Sequence, residues 1–177
     1  MFFSMEYKAP IGKLTIAATD DSVVGLWIEG QKYFLNTLQE ELVSVKGNSA
    51  LRQAEGWLDR YFAGDRPAPE ELPLSPMGGK FRQDVWKILC EIPYGEVTTY
   101  GRIAKKIAAE RGIKSMSAQA VGGAVGHNPI SIIIPCHRVI GADGGLTGYA
   151  GGLETKEKLL SLEGVDIRNL SDAASDL

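Results

Sequence analysis

The stretch SIIIPCHRVIG, residues 131–141, sets one of two cysteines, Cys136, beside one of two histidines, His137, and an arginine, Arg138, directly after an apolar run. A thiol attacks as its thiolate, and a neighbouring base or cation lowers its pKa from about 8.5. Adjacent side chains on an extended chain point to opposite faces, so contact between Cys136 and His137 needs a turn or a bridging water. A histidine acting as base is oriented in turn by a third group. Glu163, in LETKEKLLSLEG, is the best acid available, with Glu154 and Glu157 as exposed rivals. After the motif comes GADGGLTGYAGG, with six glycines in twelve residues. It reads either as a flexible connection or as a loop able to wrap a ligand, and the polar residues after Cys136 favour the second, so the thiol is expected to be presented. Cys90, on an apolar helical stretch, reads as a small core filler.

Other chemistries are short of ligands. Cys90 and Cys136 make no CxxC clamp and no disulfide framework, and a structural zinc site needs four Cys or His ligands, so neither metal nor cofactor is expected. The opening MFFSMEYKAP has no basic leader, and nowhere do about 18 apolar residues run together, which points to a cytoplasmic protein without a membrane partner. The net charge of -3 is polarised: residues 1–79 carry seven basic and eleven acidic groups, residues 80–164 eleven and eight, residues 165–177 one and three. The basic part contains the Cys-His-Arg motif.

The elements that must position these residues follow from periodicity and punctuation. MEYKAPIGKLTIAATDDSVVGLWIEG alternates apolar, β-branched runs with turn residues and predicts three strands of a small antiparallel sheet. One helix is predicted near Tyr33–Val43. A clearer one, capped by Asn48 or Ser49, presents Leu51, Ala54, Trp57, Leu58, Tyr61 and Phe62 on one face for packing on the sheet. GDRPAPEELPLSPMGG, with four prolines, separates this lobe from the next. Beyond it, FRQDVWKILCEI predicts a helix. EVTTYGRIAKKIAAERG predicts another, capped by Thr98 or Thr99 and stopped at Gly112. SMSAQAVGGAVGHNP predicts a third, capped by Ser117 and ending before Asn128-Pro129. Two short capped helices joined by a turn fit a helix-turn-helix unit. The third helix is nearly bare, and each mid-helix glycine costs about 1 kcal/mol relative to alanine. Its backbone therefore reads as closely approached, either by another helix or by a nucleic-acid groove. SIIIPC reads as a buried strand delivering Cys136 at its end.

NPISIIIPCHRVIG, with YGEVTTYGRIA before it and GYAGGLETKEKLLSLEG after it, resembles the O6-alkylguanine-DNA alkyltransferase (methylated-DNA–protein-cysteine S-methyltransferase) family from about Phe81 to Gly164. The N-terminal lobe fits in length and in PIGKLTIAAT and VVGLWI. The resemblance implies an α/β (α+β) fold with a small N-terminal antiparallel sheet and helices over 1–76. A winged helix-turn-helix-like domain carrying the active-site cysteine would span 77–167, and a flexible tail 168–177. It implies direct DNA repair: Cys136 accepts an alkyl group, once and irreversibly, from O6-alkylguanine and possibly O4-alkylthymine in double-stranded DNA. The protein would work as a monomer. Glu163, His137 and a water would relay the thiol proton, and Asn128 would tie the recognition helix to the Cys segment. Tyr100 would donate to the departing guanine and help rotate the lesion out of the stack. The carbonyls of Cys136 and Val139, the amide of Ala150 and the ring of Tyr149 would read guanine. Ala118, Gln119, Ala120, Gly122 and Gly123 would face DNA, and Arg138 would brace the active-site segment.

Two departures stand out. Gln119 occupies a position where the family often has arginine, and glutamine can neither stack nor neutralise phosphate as guanidinium does, which predicts weaker DNA binding. The N-terminal zinc site of some relatives has no ligands, since that lobe lacks Cys and His. Two other readings compete. A non-catalytic lesion binder or helix-turn-helix regulator would not need Cys136, and a thiol hydrolase would need an oxyanion hole that the sequence does not reveal.

Overall fold

The computed structural model describes residues 1–175. They fall into two compact units, the first formed by Met1–Gly78 with Pro129–Ile134 and the second by Gly79–Asn128 with the chain from Pro135 onward.

In the first unit, β1 (Phe2–Ala9), β2 (Gly12–Ala18) and β3 (Val23–Ile28) form the expected antiparallel meander. Leu14, Ile16 and Leu26 are fully buried, and α1 (Ser49–Phe62) packs on all three strands. Asn48 caps α1 by accepting from the Leu51 amide at 2.9 Å, while its amide nitrogen donates to Thr19 O at 2.8 Å and so fastens the helix to the β2–β3 turn. The helix buries Leu51, Ala54, Trp57, Leu58 and Tyr61; each large side chain contributes roughly 1.5–3 kcal/mol by leaving water. Trp27 lies across Gly25, where a Cβ would come within 1.9 Å of the indole, so that strand position accepts only glycine.

The helix predicted at Tyr33–Val43 does not form. Tyr33 and Leu35 adopt positive φ, at 59° and 58°, and Leu42–Ser44 becomes a short strand, β4, parallel to β1. Leu35, Leu38 and Leu42 instead pack against Ala17, Val24 and Trp27, a sheet surface that a regular helix would have covered with only one of its faces. The strand predicted for SIIIPC is also replaced. Ile130 makes a single bridge to Leu26, and Ile132 then turns back at φ 70°. Ile130, Ile132, Ile133 and Ile134 are all buried, so no solvent face existed to impose alternation.

The second unit is helical. It holds α2 (Lys80–Cys90), α3 (Tyr100–Arg111), α4 (Ala118–Gly126), α5 (Leu153–Leu162) and α6 (Leu170–Ser175), with a two-residue parallel pair of β5 (Thr98–Thr99) and β6 (Val139–Ile140). Thr99 caps α3, Gly112 closes it in the left-handed conformation, and Ser117 caps α4. The pair α3–α4 is the predicted helix-turn-helix, and Trp86 of α2 anchors it by donating to Ala124 O at 2.9 Å. Of the segment 168–177, expected to be a flexible tail, residues 168–175 fold within a 3₁₀ turn (Ile167–Asn169) and α6, with Leu170 buried; residues 176–177 lie outside the described residues. Among the described residues no helix is long and apolar enough to cross a membrane.

Candidate active site

Cys136 opens a 3₁₀ turn, Cys136–Arg138, that follows Pro135. This turn replaces the expected strand end, and Cys136 and His137 make no direct side-chain hydrogen bond, because His137 Nε2 is taken by Glu163 and Nδ1 has no protein partner. The sulfur is less presented than the sequence implied, because Cys136 is only 5% exposed. Burial pushes the thiol pKa up, while a hydrogen bond from the Asn128 side chain, the charge of Lys156 and the amides of Cys136 and His137 pull the other way. Asn128, itself buried just beyond α4, thus joins the helix-turn-helix to the sulfur.

Glu163, not Glu154 or Glu157, reaches His137. It caps the C-terminus of α5, and its Oε2 lies 2.5 Å from His137 Nε2 with both side chains fully buried. Glu163 also accepts from Arg138 Nε at 2.7 Å, Arg138 Nη2 at 3.1 Å and the Gly95 amide at 3.1 Å. Burial alone would raise this carboxyl, but the bonds from His137 and Arg138 hold it well below the usual carboxylate range. Burial lowers the His137 pKa despite Glu163, with Arg138 and Lys156 lowering it further, so the imidazole is neutral near pH 7. A carboxylate only accepts, so Nε2 must carry the single ring proton. Nδ1 is then a lone pair, buried and without a protein hydrogen-bond partner. Arg138 also donates to Ile92 O at 2.6 Å and lies over the Tyr94 ring at 5.7 Å.

Tyr100, first residue of α3, donates to Thr147 O at 2.9 Å. Burial, and then the charge of Cys136, raise its pKa, which makes it a neutral hydrogen-bond donor. Lys156 was overlooked in the sequence. It is fully buried and donates to Val139 O at 2.5 Å and to the same Thr147 O at 3.1 Å. Burial pulls its pKa down to about 8 against the opposing influence of Cys136. Its spacing from Leu159 and Leu160 had already put a lysine on the apolar face of α5, a signal masked by the charged residues around it. Val139 is buried at the start of β6, Tyr149 is buried in the glycine-rich loop and Ala150 is half-buried beside it.

Ala118, Gln119 and Ala120 lie exposed on the first turn of α4, outside the buried cluster. A Cβ on Gly123 would meet nothing within 4 Å, and one on Gly122 only the Tyr100 ring at 3.8 Å. The bareness of α4 is therefore not demanded by packing inside the protein. Cys90 is half-buried near the end of α2. Among the described residues no three His, Cys, Asp or Glu side chains cluster as a metal site would require.

Comparison with known proteins bears on both units. Two family models match the chain: "6-O-methylguanine DNA methyltransferase, ribonuclease-like domain" over residues 5–76 and "6-O-methylguanine DNA methyltransferase, DNA binding domain" over residues 80–165. A methylated-DNA–protein-cysteine methyltransferase of Haemophilus influenzae is 41% identical over 157 residues, covering 89% of this chain and 83% of its own. One of Methanosarcina acetivorans is 42% identical over 169 residues, covering 93% and 99%. The crystal structure of Mycobacterium tuberculosis OGT in complex with DNA aligns with a TM-score of 0.78 at 40% identity, over 96% of this chain and 98% of that one.

Proposed function

Because the chain belongs to the 6-O-methylguanine DNA methyltransferase family, we propose that it repairs DNA by direct damage reversal, moving the alkyl group of O6-alkylguanine onto Cys136. The sulfur attacks the alkyl carbon. An S–C bond forms as the C–O6 bond breaks, and the electron pair stays with guanine. The thiol proton passes through a water to His137 Nδ1, and guanine gains one proton in return, so the reaction balances without a cofactor. A thioether is a poor leaving group, so each molecule acts once.

One observation carries this reading: the commitment of His137 Nε2 to Glu163, which leaves Nδ1 as a buried base beside the nucleophile's turn. A buried thiol with a raised pKa is protonated at rest, so removal of its proton in the reaction is the step the protein must provide. Tyr100 gives its hydrogen bond to the departing purine rather than a full proton, consistent with its raised pKa. The Val139 carbonyl has a second lone pair beside the one taken by Lys156, and can accept from the guanine amine together with the Cys136 carbonyl. Tyr149 forms an aromatic wall, and the Ala150 amide donates to the guanine oxygen. Arg138 braces the segment through Glu163 and Ile92.

The partner is double-stranded DNA carrying alkylated bases. The exposed, side-chain-poor face of α4 lets a groove approach the backbone closely. The cysteine sets this reading apart from a lesion-binding or regulatory module, which would have no use for the proton path. We place the protein in the cytoplasm as a monomer with no membrane partner, which sedimentation and fractionation would check. Intact-protein mass after incubation with O6-methylguanine duplex tests the transfer. One added methyl mapped to residue 136, with no turnover beyond one per molecule, is expected; no gain, or many products per protein, overturns it. The same assay with O4-methylthymine duplex defines the range of bases.

A further inference from the structure

We propose that the turn Pro93-Tyr94-Gly95, between α2 and β5, is a positioning element for alkyl transfer that fixes the Glu163 carboxylate in the orientation that engages His137. This deepens, and rests on, the reading of His137 as the base.

Glu163 stands at the C-terminus of α5, where unpaired carbonyls concentrate partial negative charge and a carboxylate is disfavoured. Something must offset that. The turn meets the need at several points. The Gly95 amide donates to Oε1 at 3.1 Å, which leaves Oε2 facing His137 Nε2. Gly95 adopts φ 80°, and a Cβ there would lie 3.0 Å from the main-chain oxygen of Glu163, so its backbone packs directly on the residue it holds. Tyr94 donates to Leu162 O at 3.2 Å, fixing the last helical residue before Glu163. Its ring faces the Arg138 guanidinium, which shares both Glu163 oxygens. Arg138 already pairs with both oxygens, so without the Gly95 amide the carboxylate can keep that pairing while tilting out of line with the imidazole.

The consequence is functional. The charged groups facing His137 are Glu163 and Lys156 from α5 and its cap, and Arg138 beside it. Only Glu163 favours proton uptake, so a carboxylate turned away leaves a weaker and poorly aimed base.

The test is the pH dependence of methyl transfer from O6-methylguanine duplex by the wild type, Gly95→Ala and Tyr94→Phe, with lesion-duplex affinity and thermal unfolding measured in parallel. Gly95→Ala is expected to slow transfer on the order of 10-fold to 100-fold, as small misplacements of catalytic groups do. Affinity should be unchanged, and the acidic limb of the profile should move to lower pH. Tyr94→Phe should move both in the same direction by less. Wild-type rates and limbs in both variants overturn the proposal. So does slower transfer with the acidic limb left in place, which would mark a role in stability alone. If Gly95→Ala does not fold, Tyr94→Phe decides by the same criteria. A wild type that gains no methyl sinks the transfer reading itself, whereas a wild type that transfers alongside indifferent variants sinks only the role of the turn.

Discussion

His137, Arg138 and Glu163 hold one another side chain to side chain, fully or almost fully buried. Tyr100 and Lys156 instead rest their donors on main-chain carbonyls, both on that of Thr147 in the glycine-rich loop. The first arrangement is fixed before any substrate arrives, because removing one member of a buried charged set leaves the others uncompensated, at a cost of about 3–5 kcal/mol. The second is exchangeable. A neutral hydrogen bond such as that of Tyr100 contributes only about 0.5–1.5 kcal/mol net, so substrate atoms can take over its donor from the loop carbonyl, while Lys156 keeps Val139 O as a second partner. On the proposed mechanism, the fixed set handles the proton and Tyr100 of the second set meets the substrate.

The largest effect expected is from Cys136→Ala, which should abolish methyl gain in intact-mass measurements while lesion binding in a gel-shift assay survives. That outcome separates nucleophile from recognition. Glu163→Gln comes next and should damage both chemistry and fold. Transfer should fall by about 100-fold, the order expected for a misaimed catalytic group, and calorimetry should show a loss of about 3–5 kcal/mol.

The acid profile of the wild type follows from linkage. Folded His137 and folded Glu163 both have depressed pKa values, so the unfolded chain takes up protons first as pH falls. Stability should therefore decline from near the ordinary 6.5 of His137 downward, and further from near the 4.5 of Glu163. Glu163→Gln should remove the second decline. Tyr100→Phe probes the exchangeable set. It should slow transfer by roughly 10-fold to 100-fold, toward the lower end of acid-base effects, while thermal stability changes little because only one loop hydrogen bond is lost.

Smaller effects are expected on α4. Gln119→Arg should tighten duplex binding by about tenfold or less and steepen its salt dependence by roughly one phosphate contact; unchanged affinity and slope would remove position 119 from the interface. Gly123→Ala should raise stability by about 0.5–1 kcal/mol, since its Cβ meets nothing within the protein. It should nonetheless weaken duplex binding in fluorescence titration. Stabilisation with undiminished binding would mean that the bare face serves neither protein nor DNA.

Much of the fold was legible because its signals are local. Asn48, Thr99 and Ser117 each cap a helix by binding an amide three residues on, and Gly112 ends α3 in a conformation that glycine adopts freely. The segments misread were those whose conformation answers to distant surfaces. Residues 33–43 look helical until Trp27 and β1 claim their leucines, and the isoleucines of 130–134 carry no periodicity because every side is buried. Of the site, the reactive residue types were readable and Glu163 stood as the leading candidate beside Glu154 and Glu157, whereas the burial of Cys136 and the position of Lys156 were not.

The sequence by itself determined which reactive groups exist, where the capped helices begin, and that a thiol, an imidazole and a guanidinium stand side by side in the chain. Tertiary structure decided which carboxylate completes the set, which ring nitrogen stays open and which turn holds the acid in place. Caps act across three or four residues, within reach of any reading of the chain. Glu163 meets His137 across 26 residues and Gly95 across 68, and contacts of that span exist only once the intervening chain has folded.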